Sequence, residues 1–258
     1  MKFRSALLLS LGLALGLPSA AIAQQPASIP VTEAIPDDPD VAKVLNPLKA
    51  EIKATFDLVL VQCPTGLFKG GNGKENELGE WIADAMRVRA EALVGAPVKF
   101  AYTNTGGIRA NIRPGVVKVG DIYEVMPFEN ELVVAELTGA EIVEVVKEGI
   151  LRRAVEPMSG IQVRTAGTVA KPELIVTWAD GSAIDPKEVV KLATSDYLLA
   201  SSAVMKKSRN GYTTGRSLRQ VLLDVCVGLN NQGKPLTPPP AGRMALDPVL
   251  LQALKNEK

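Results

Sequence analysis

Apolar positions along the chain follow two kinds of spacing, helical steps of three and four and short β-branched runs, and the two kinds interleave. Val41, Val44, Leu45, Leu48, Ile52 and Phe56 fall mostly on helical steps, which predicts an amphipathic helix over 41–56. The β-branched run 58–61 follows as a strand. Residues 66–73 contain four glycines and read as loop. Leu78, Ile82, Ala85, Met86 and Ala90 mark a second amphipathic helix that ends near Gly95. Residues 98–103 form a short buried strand that runs into the turn Asn104-Thr105-Gly106-Gly107. Another strand covers 132–137, and Thr138 with Glu141 has the spacing of a capping box that opens a helix reaching about Gly149. Further on, 161–164 and 174–178 look like paired strands, with Asp180-Gly181 supplying a tight turn. A strand over 189–194 and a long helix over 217–229 complete the pattern, and the proline-rich stretch 235–240 suits neither period and is a linker or wrap.

Helices and strands alternate too irregularly for a doubly wound sheet, and no internal repeat is evident. The expected class is α+β (irregular α/β), a single domain with a mixed sheet, flanking helices and antiparallel pairing in its second half. At the N-terminus Lys2 and Arg4 precede an apolar run from Ala6 to Leu17, then Pro18, Ser19 and the small-x-small sequence Ala21-Ile22-Ala23. This is the pattern of a secretory signal over 1–23. The apolar run falls short of the roughly 20 residues a membrane span needs, and no cysteine follows the cleavage site, so no membrane anchor is expected in the mature form. Residues 24–38 read as an extended leader, 39–244 as the domain and 245–258 as a tail. The acidic cluster Asp37-Asp38-Pro39-Asp40 lacks the glycine turn and distal glutamate of a calcium loop, and fits a helix N-terminus instead.

Charge and composition narrow the chemistry. The signal holds two of the 29 basic residues and none of the 28 acidic ones, which leaves 27 against 28 in the remainder. A near-neutral chain is not suited to a polyanion, and no nucleic-acid partner is expected. Histidine is absent. That removes Ser-His and Cys-His nucleophile pairs, His-ligated zinc and the side chain that most readily exchanges protons near neutrality. Cys63 and Cys226 are the two cysteines, and a disulfide between them or a pair of buried thiols are both open; a bridge closing so long a loop would contribute about 4 to 5 kcal/mol. Ser202 and Lys206 stand at helical spacing, but the basic run Lys206-Lys207-Ser208-Arg209 reads as a solvated loop rather than as a Ser-Lys nucleophile.

The most informative stretch is Tyr102-Thr103-Asn104-Thr105-Gly106-Gly107-Ile108-Arg109. Two adjacent glycines delivered by a strand and followed by an arginine set backbone N–H groups beside a guanidinium, a combination suited to an oxyanion. Downstream comes Pro127-Phe128-Glu129-Asn130. Asn104 to Arg109 resembles the Asn-x-Gly-Gly-Ile-Arg signature of the C-terminal, substrate-recognition domain of the 5′-nucleotidase / UDP-sugar hydrolase family, and Pro127-Phe128-x-Asn130 resembles its Pro-Phe-Gly-Asn. Glu77-Leu78-Gly79-Glu80, Ile82 and Asp84-Ala85-Met86 are similar to the family's Asn-x-Gly-Asn-x-Ile-x-Asp-Ala-Met helix, with glutamates for both asparagines, and Gly242-Arg243-Met244 is similar to the closing Gly-Arg-Ile.

The resemblance implies a pocket in which a nucleobase stacks between two aromatic rings while arginines and an asparagine hold phosphate, sugar and base edge. On this chain Phe128 matches the first ring and Tyr197 takes the place of the second; Asn104, Gly106, Gly107 and Arg109 match the polar signature. Lys74 stands for a family arginine, keeping the charge and losing the bidentate fork. Asn210 stands where the family has a sugar-binding aspartate, after the inserted basic run Met205 to Arg209. The family's catalytic domain binds two metals through Asp, His and Asn side chains, and nothing before residue 60 resembles it. The chain is therefore not expected to be catalytic alone, and no cofactor is expected. The expected partner is a nucleotide or nucleoside. The alternatives are a substrate-binding subunit for a separate metallophosphatase chain, or an interaction protein that has lost the ligand.

Overall fold

A computed structural model of the chain describes residues 28, 30–70, 76–152 and 155–256, so the signal over 1–23 and Lys74 lie outside the described residues. Two compact units divide between Leu45 and Asn46. The described part of the first is irregular up to the start of α1 (Pro39–Phe56). Asp38 caps that helix, its carboxylate accepting the N–H groups of Asp40 at 2.9 Å and Val41 at 3.2 Å. The apolar stripe of α1 is real but unburied: Val41, Val44, Leu45, Leu48 and Ile52 are all exposed.

The second unit begins with β1 (Val59–Cys63), α2 (Glu77–Val94) and β2 (Phe100–Tyr102), then a 3-10 turn over Thr105–Gly107. It continues with β3 (Gly115–Lys118), α3 (Val119–Val125), β4 (Glu131–Thr138) and α4 (Gly139–Ile150). Next come β5 (Met158–Ser159), β6 (Ile161–Thr168), β7 (Lys171–Trp178), β8 (Val189–Ser195) and α5 (Asp196–Ser201). A 3-10 turn over Met205–Lys207 leads to β9 (Arg209–Ser217), α6 (Leu218–Asn231), β10 (Met244–Ala245) and α7 (Pro248–Asn256).

Five strands form the central mixed sheet in the order β5-β2-β8-β4-β9, and β10-β6-β7 and β1-β3 form two smaller sheets. Alternation along the central strands feeds two separate cores. Ala101, Leu132, Val134 and Ala193 point into the core shared with α2, α3, α6, β1 and β3, whereas Phe100, Tyr102, Ala135, Leu137 and Leu192 point into the core shared with α4, β6 and β7. The central sheet is thus buried on both faces, as an α+β fold with antiparallel β4-β8, β4-β9 and β6-β7 pairs. Local signals set the helix ends: Asn76 accepts Gly79 N–H at 2.9 Å, Gly95 closes α2 with φ 63°, and Thr138 and Glu141 form the expected capping box.

The structure refines several expectations. The residues read as a tail, 245–258, include Ala245 of β10 and all of α7, and Leu246 and Leu251 pack on the second core. The basic residues Lys206, Lys207 and Arg209 are exposed, as expected of a solvated run, but the residues that anchor the run are not: Met205 is fully buried, and the hydroxyl of buried Ser202 donates to Glu148 at 3.1 Å and accepts Met205 N–H at 3.3 Å. Asp180-Gly181 forms the expected tight turn, which folds Ala183 back onto Thr177, while β6 and β7 close on each other at Thr168 and Lys171. Both cysteines are free and buried in one core. The proline-rich stretch is a wrap, with Leu236 buried and its N–H donating to Gln62 at 2.8 Å.

Candidate functional site

Strand directions gather the candidate residues. β2 runs parallel to β8 with Ala101 opposite Ala193, and β4 runs antiparallel to β8 with Leu132 opposite Ser195. The C-terminal ends of β2 and β8 and the N-terminal end of β4 therefore share one end of the sheet. Asn104 leaves β2, Tyr197 leaves β8, and Phe128 precedes β4 there. Asp196 ties the end of β8 to the start of β4, its carboxylate accepting the N–H of Glu131 at 3.2 Å and that of Tyr197 at 2.7 Å. Phe128 and Tyr197 remain 45% and 55% exposed, so neither ring serves the core.

Arg109 joins the cluster from the turn. Its N–H donates to Val125 at 2.9 Å, its Nη1 donates to Gly106 O at 3.2 Å, and its guanidinium carbon lies 6.0 Å from the centroid of the Phe128 ring. That separation is the outer limit of a cation–π contact. Lys69 adds a second cation, donating from Nζ to Ile108 O at 2.6 Å.

The glycines have a steric role beside the one expected. A Cβ on Gly106 would stand 3.3 Å from Asn104 Nδ2, and one on Gly107 would stand 3.3 Å from Asn104 Oδ1. The pair makes room for the folded-back amide of Asn104. The amides around it have internal acceptors: Thr105 N–H donates to the buried carboxylate of Glu156 at 2.5 Å, Gly107 N–H to Asn104 O at 3.0 Å and Ile108 N–H to Thr105 O at 3.2 Å. Within the turn the amide of exposed Gly106 is the one without an internal acceptor among the described residues, and further charge for an anion comes from the side chains of Arg109 and Lys69.

Asn210 is not brought to this end. β9 pairs with β4 so that Ser217 meets Glu131 and Arg209 meets Glu136, which puts Asn210 about 17 Å along the strand from Glu131. It adopts a positive φ of 50° and its Nδ2 donates to Glu136 at 2.7 Å, a bond that lowers the Glu136 carboxyl below its ordinary range.

Two residues that bear on the cluster carried no sequence signal. Glu156, in an aperiodic segment, holds the Asn104 turn as described. Arg219, the second residue of α6, is buried at 7% exposure, donates from Nη1 to Met126 O and Pro127 O at 3.2 Å each, pairs with Glu129 and lies 4.1 Å above the Tyr123 ring. Among the described residues no group of three His, Cys, Asp or Glu side chains is placed to hold a metal ion. No described helix is long and apolar enough to cross a membrane.

A mixed sheet buried on both faces by helices and smaller sheets defines the class: an α+β domain, one end of which displays two exposed rings, an arginine and an asparagine-glycine turn. The chain belongs to the family of the 5′-nucleotidase, C-terminal domain, whose pattern it matches over residues 64–206. Among curated relatives it is 35% identical over 128 residues to the trifunctional nucleotide phosphoesterase protein YfkN of Bacillus subtilis, covering 47% of this chain and 8% of that one. It is 33% identical over 142 residues to a cell wall protein of Listeria monocytogenes, covering 50% of this chain and 18% of the relative. The chain thus spans less than a fifth of either relative. The crystal structure of a 5′-nucleotidase precursor from Thermus thermophilus superimposes with a TM-score of 0.66 at 24% identity, over 83% of this chain and 44% of that one, a likeness of fold.

Proposed function

We propose that this chain is an exported module that recognises a nucleotide or nucleoside, taking the base between Phe128 and Tyr197 and the anionic group at Arg109, with Asn104 on a polar edge. The observation that carries this reading is the exposure of both rings at the sheet end where Arg109 and Asn104 also stand. Rings that large lose hydration cost when covered, and base–aromatic stacking contributes about 1 to 3 kcal/mol per base. The relative named as a nucleotide phosphoesterase agrees with the ligand class, and the one named as a cell wall protein agrees with the signal read over 1–23. Lys74 is proposed as a further cation for the anion; Asn210 would join only through movement of β9. The test is thermal melting with AMP and with adenosine. A saturable rise in Tm, larger for AMP, with the AMP advantage lost in Arg109→Ala, supports the reading; flat curves with both ligands reject it.

A second reading is favoured by the bare apolar side chains of Leu48, Ile52, Leu58, Val59 and Val116. The family is usually fused to a metallophosphatase domain. In this reading a metallophosphatase on another chain covers that surface, and the two together hydrolyse the nucleotide. Phosphatase activity that appears only on mixing with a metal-loaded metallophosphatase would favour it, and turnover of AMP by the purified chain with a divalent metal would count against both readings as non-catalytic modules.

A further inference from the structure

We propose that Arg219 is the positioning residue for Phe128, setting the direction of the ring from the far side of its loop; this rests on the reading of Phe128 as a base-stacking ring. Phe128 lies in the irregular link between α3 and β4, where no strand or helix ladder fixes the backbone. Its side chain is 45% exposed, so packing fixes it only in part. What remains is the hold on the chain either side of it. Arg219 takes the carbonyls of Met126 and Pro127 on one side and the carboxylate of Glu129 on the other. Its neighbour Leu218 donates its N–H to Asn130 O at 2.8 Å. The first two residues of α6 thus hold the loop at both ends, with Phe128 between the holds.

The energetics favour one geometry. A buried guanidinium is unfavourable unless its faces are satisfied, and here the ring of Tyr123 covers its plane while the loop supplies acceptors at its edge. Tyr123 is itself packed against Phe56, ring centroids 4.7 Å apart and planes tilted by 36°, so the platform under the guanidinium cannot shift freely. A loop that moved would strand the charge. Glu129 strengthens the case: it occupies the place of the glycine in the resembled Pro-Phe-Gly-Asn, and it brings a carboxylate to the loop that carries the ring. Arg219 pairs with that carboxylate and so holds the loop on the C-terminal side of the ring as well.

The test compares the wild-type chain with Arg219→Met, Arg219→Lys and Glu129→Gln, reading backbone hydrogen exchange over 126–131 without ligand and AMP affinity by titration calorimetry. The lysine keeps the charge and loses the planar fork. The expected result is faster exchange confined to 126–131 in every variant, with α2 and β8 unchanged, and an AMP affinity lowered roughly tenfold in Arg219→Met. Combined with Phe128→Ala, the Arg219 change should add no further loss, because it acts through that ring. Should Arg219→Met fail to fold, Arg219→Lys and Glu129→Gln carry the comparison. Unchanged exchange over 126–131 in the folded variants overturns the proposal, as does an affinity that survives the loosened loop. A loosened loop in a chain whose wild type binds no AMP upholds the hold on the loop and overturns the nucleotide reading instead.

Discussion

Arg243 grips Asp84 across 159 positions of sequence through two parallel hydrogen bonds, Nη1 to Oδ1 at 3.0 Å and Nη2 to Oδ2 at 2.9 Å. The same guanidinium reaches the buried carboxylate of Glu80 from Nε at 3.1 Å and Met158 O from Nη1 at 3.0 Å. Ser159 donates to Asp84 at 2.5 Å and accepts from Arg87 at 2.9 Å. Two separate motifs, the Asp-Ala-Met of α2 and the Gly-Arg-Met near the end of the domain, are therefore halves of one fastening. Their job is to tie the chain's closing segment to α2 and β5, away from the exposed rings.

Removing that arginine should be costly, because it leaves carboxylates buried with less compensation. Arg243→Met is expected to lower stability by about 3 to 5 kcal/mol, and Arg243→Lys to recover only part of it, since an ammonium cannot serve both carboxylates in the planar geometry. Urea unfolding with an unchanged slope is the measurement. A loss within about 0.5 kcal/mol would show the network to be surface decoration.

Glycine substitutions separate tight contacts from open ones. Gly160 has φ +87°, and an added Cβ would stand 1.9 Å from Lys99 O, a backbone atom that cannot swing aside. Gly160→Ala is expected to cost about 2 to 4 kcal/mol. Gly228 lies within α6 and a Cβ there meets nothing within 4 Å, so Gly228→Ala should stabilise by about 1 kcal/mol. Melting both variants side by side checks the pair.

Alkaline pH should unfold the chain through its buried thiols. Burial pushes the Cys226 thiol up to about 12, with nearby Cys63 adding to the shift, and burial raises Cys63 as well. In the unfolded chain a thiol ionises near 8.5. Between those values the unfolded state has lost protons that the folded state keeps, so this contribution is intact below about pH 8.5 and fades as pH rises toward 12, at up to about 1.4 kcal/mol per pH unit for one group. Urea midpoints from pH 8 to 10.5 should fall less steeply in Cys226→Ala. Equal slopes would contradict the assignment.

Much of the fold was legible because its signals are local. Asp38 before α1, the Thr138–Glu141 box and the β-branched runs of β4 and β8 each act within a few residues, and the motifs around Asn104 and Phe128 pointed to residues that the sheet brings to one end. What was illegible depends on partners distant in sequence. β9 is an edge strand with little buried surface, so its Arg-Asn-Gly-Tyr-Thr-Thr-Gly sequence shows no alternation; it exists because β4 offers a ladder. Met205 sits among basic residues and is buried only because α5 and β4 leave it a place. Arg219 looks like an ordinary helix-surface cation until the carbonyls of Met126 and Pro127 close on it. The glycine turn was legible only in part: the amides of Thr105, Gly107 and Ile108 are taken up by Glu156 and by the turn's own carbonyls, a fact of backbone geometry that residue types do not carry.

The most direct measurement is a crystal structure of the full chain grown with AMP at saturating concentration, paired with titration of Phe128→Ala. The expected result is an adenine ring held flat between Phe128 and Tyr197 with the phosphate toward Arg109, and a roughly ten- to hundredfold weaker AMP affinity in the variant. An empty space between the two rings, or AMP seated elsewhere with Phe128→Ala binding as well as the wild type, would contradict it.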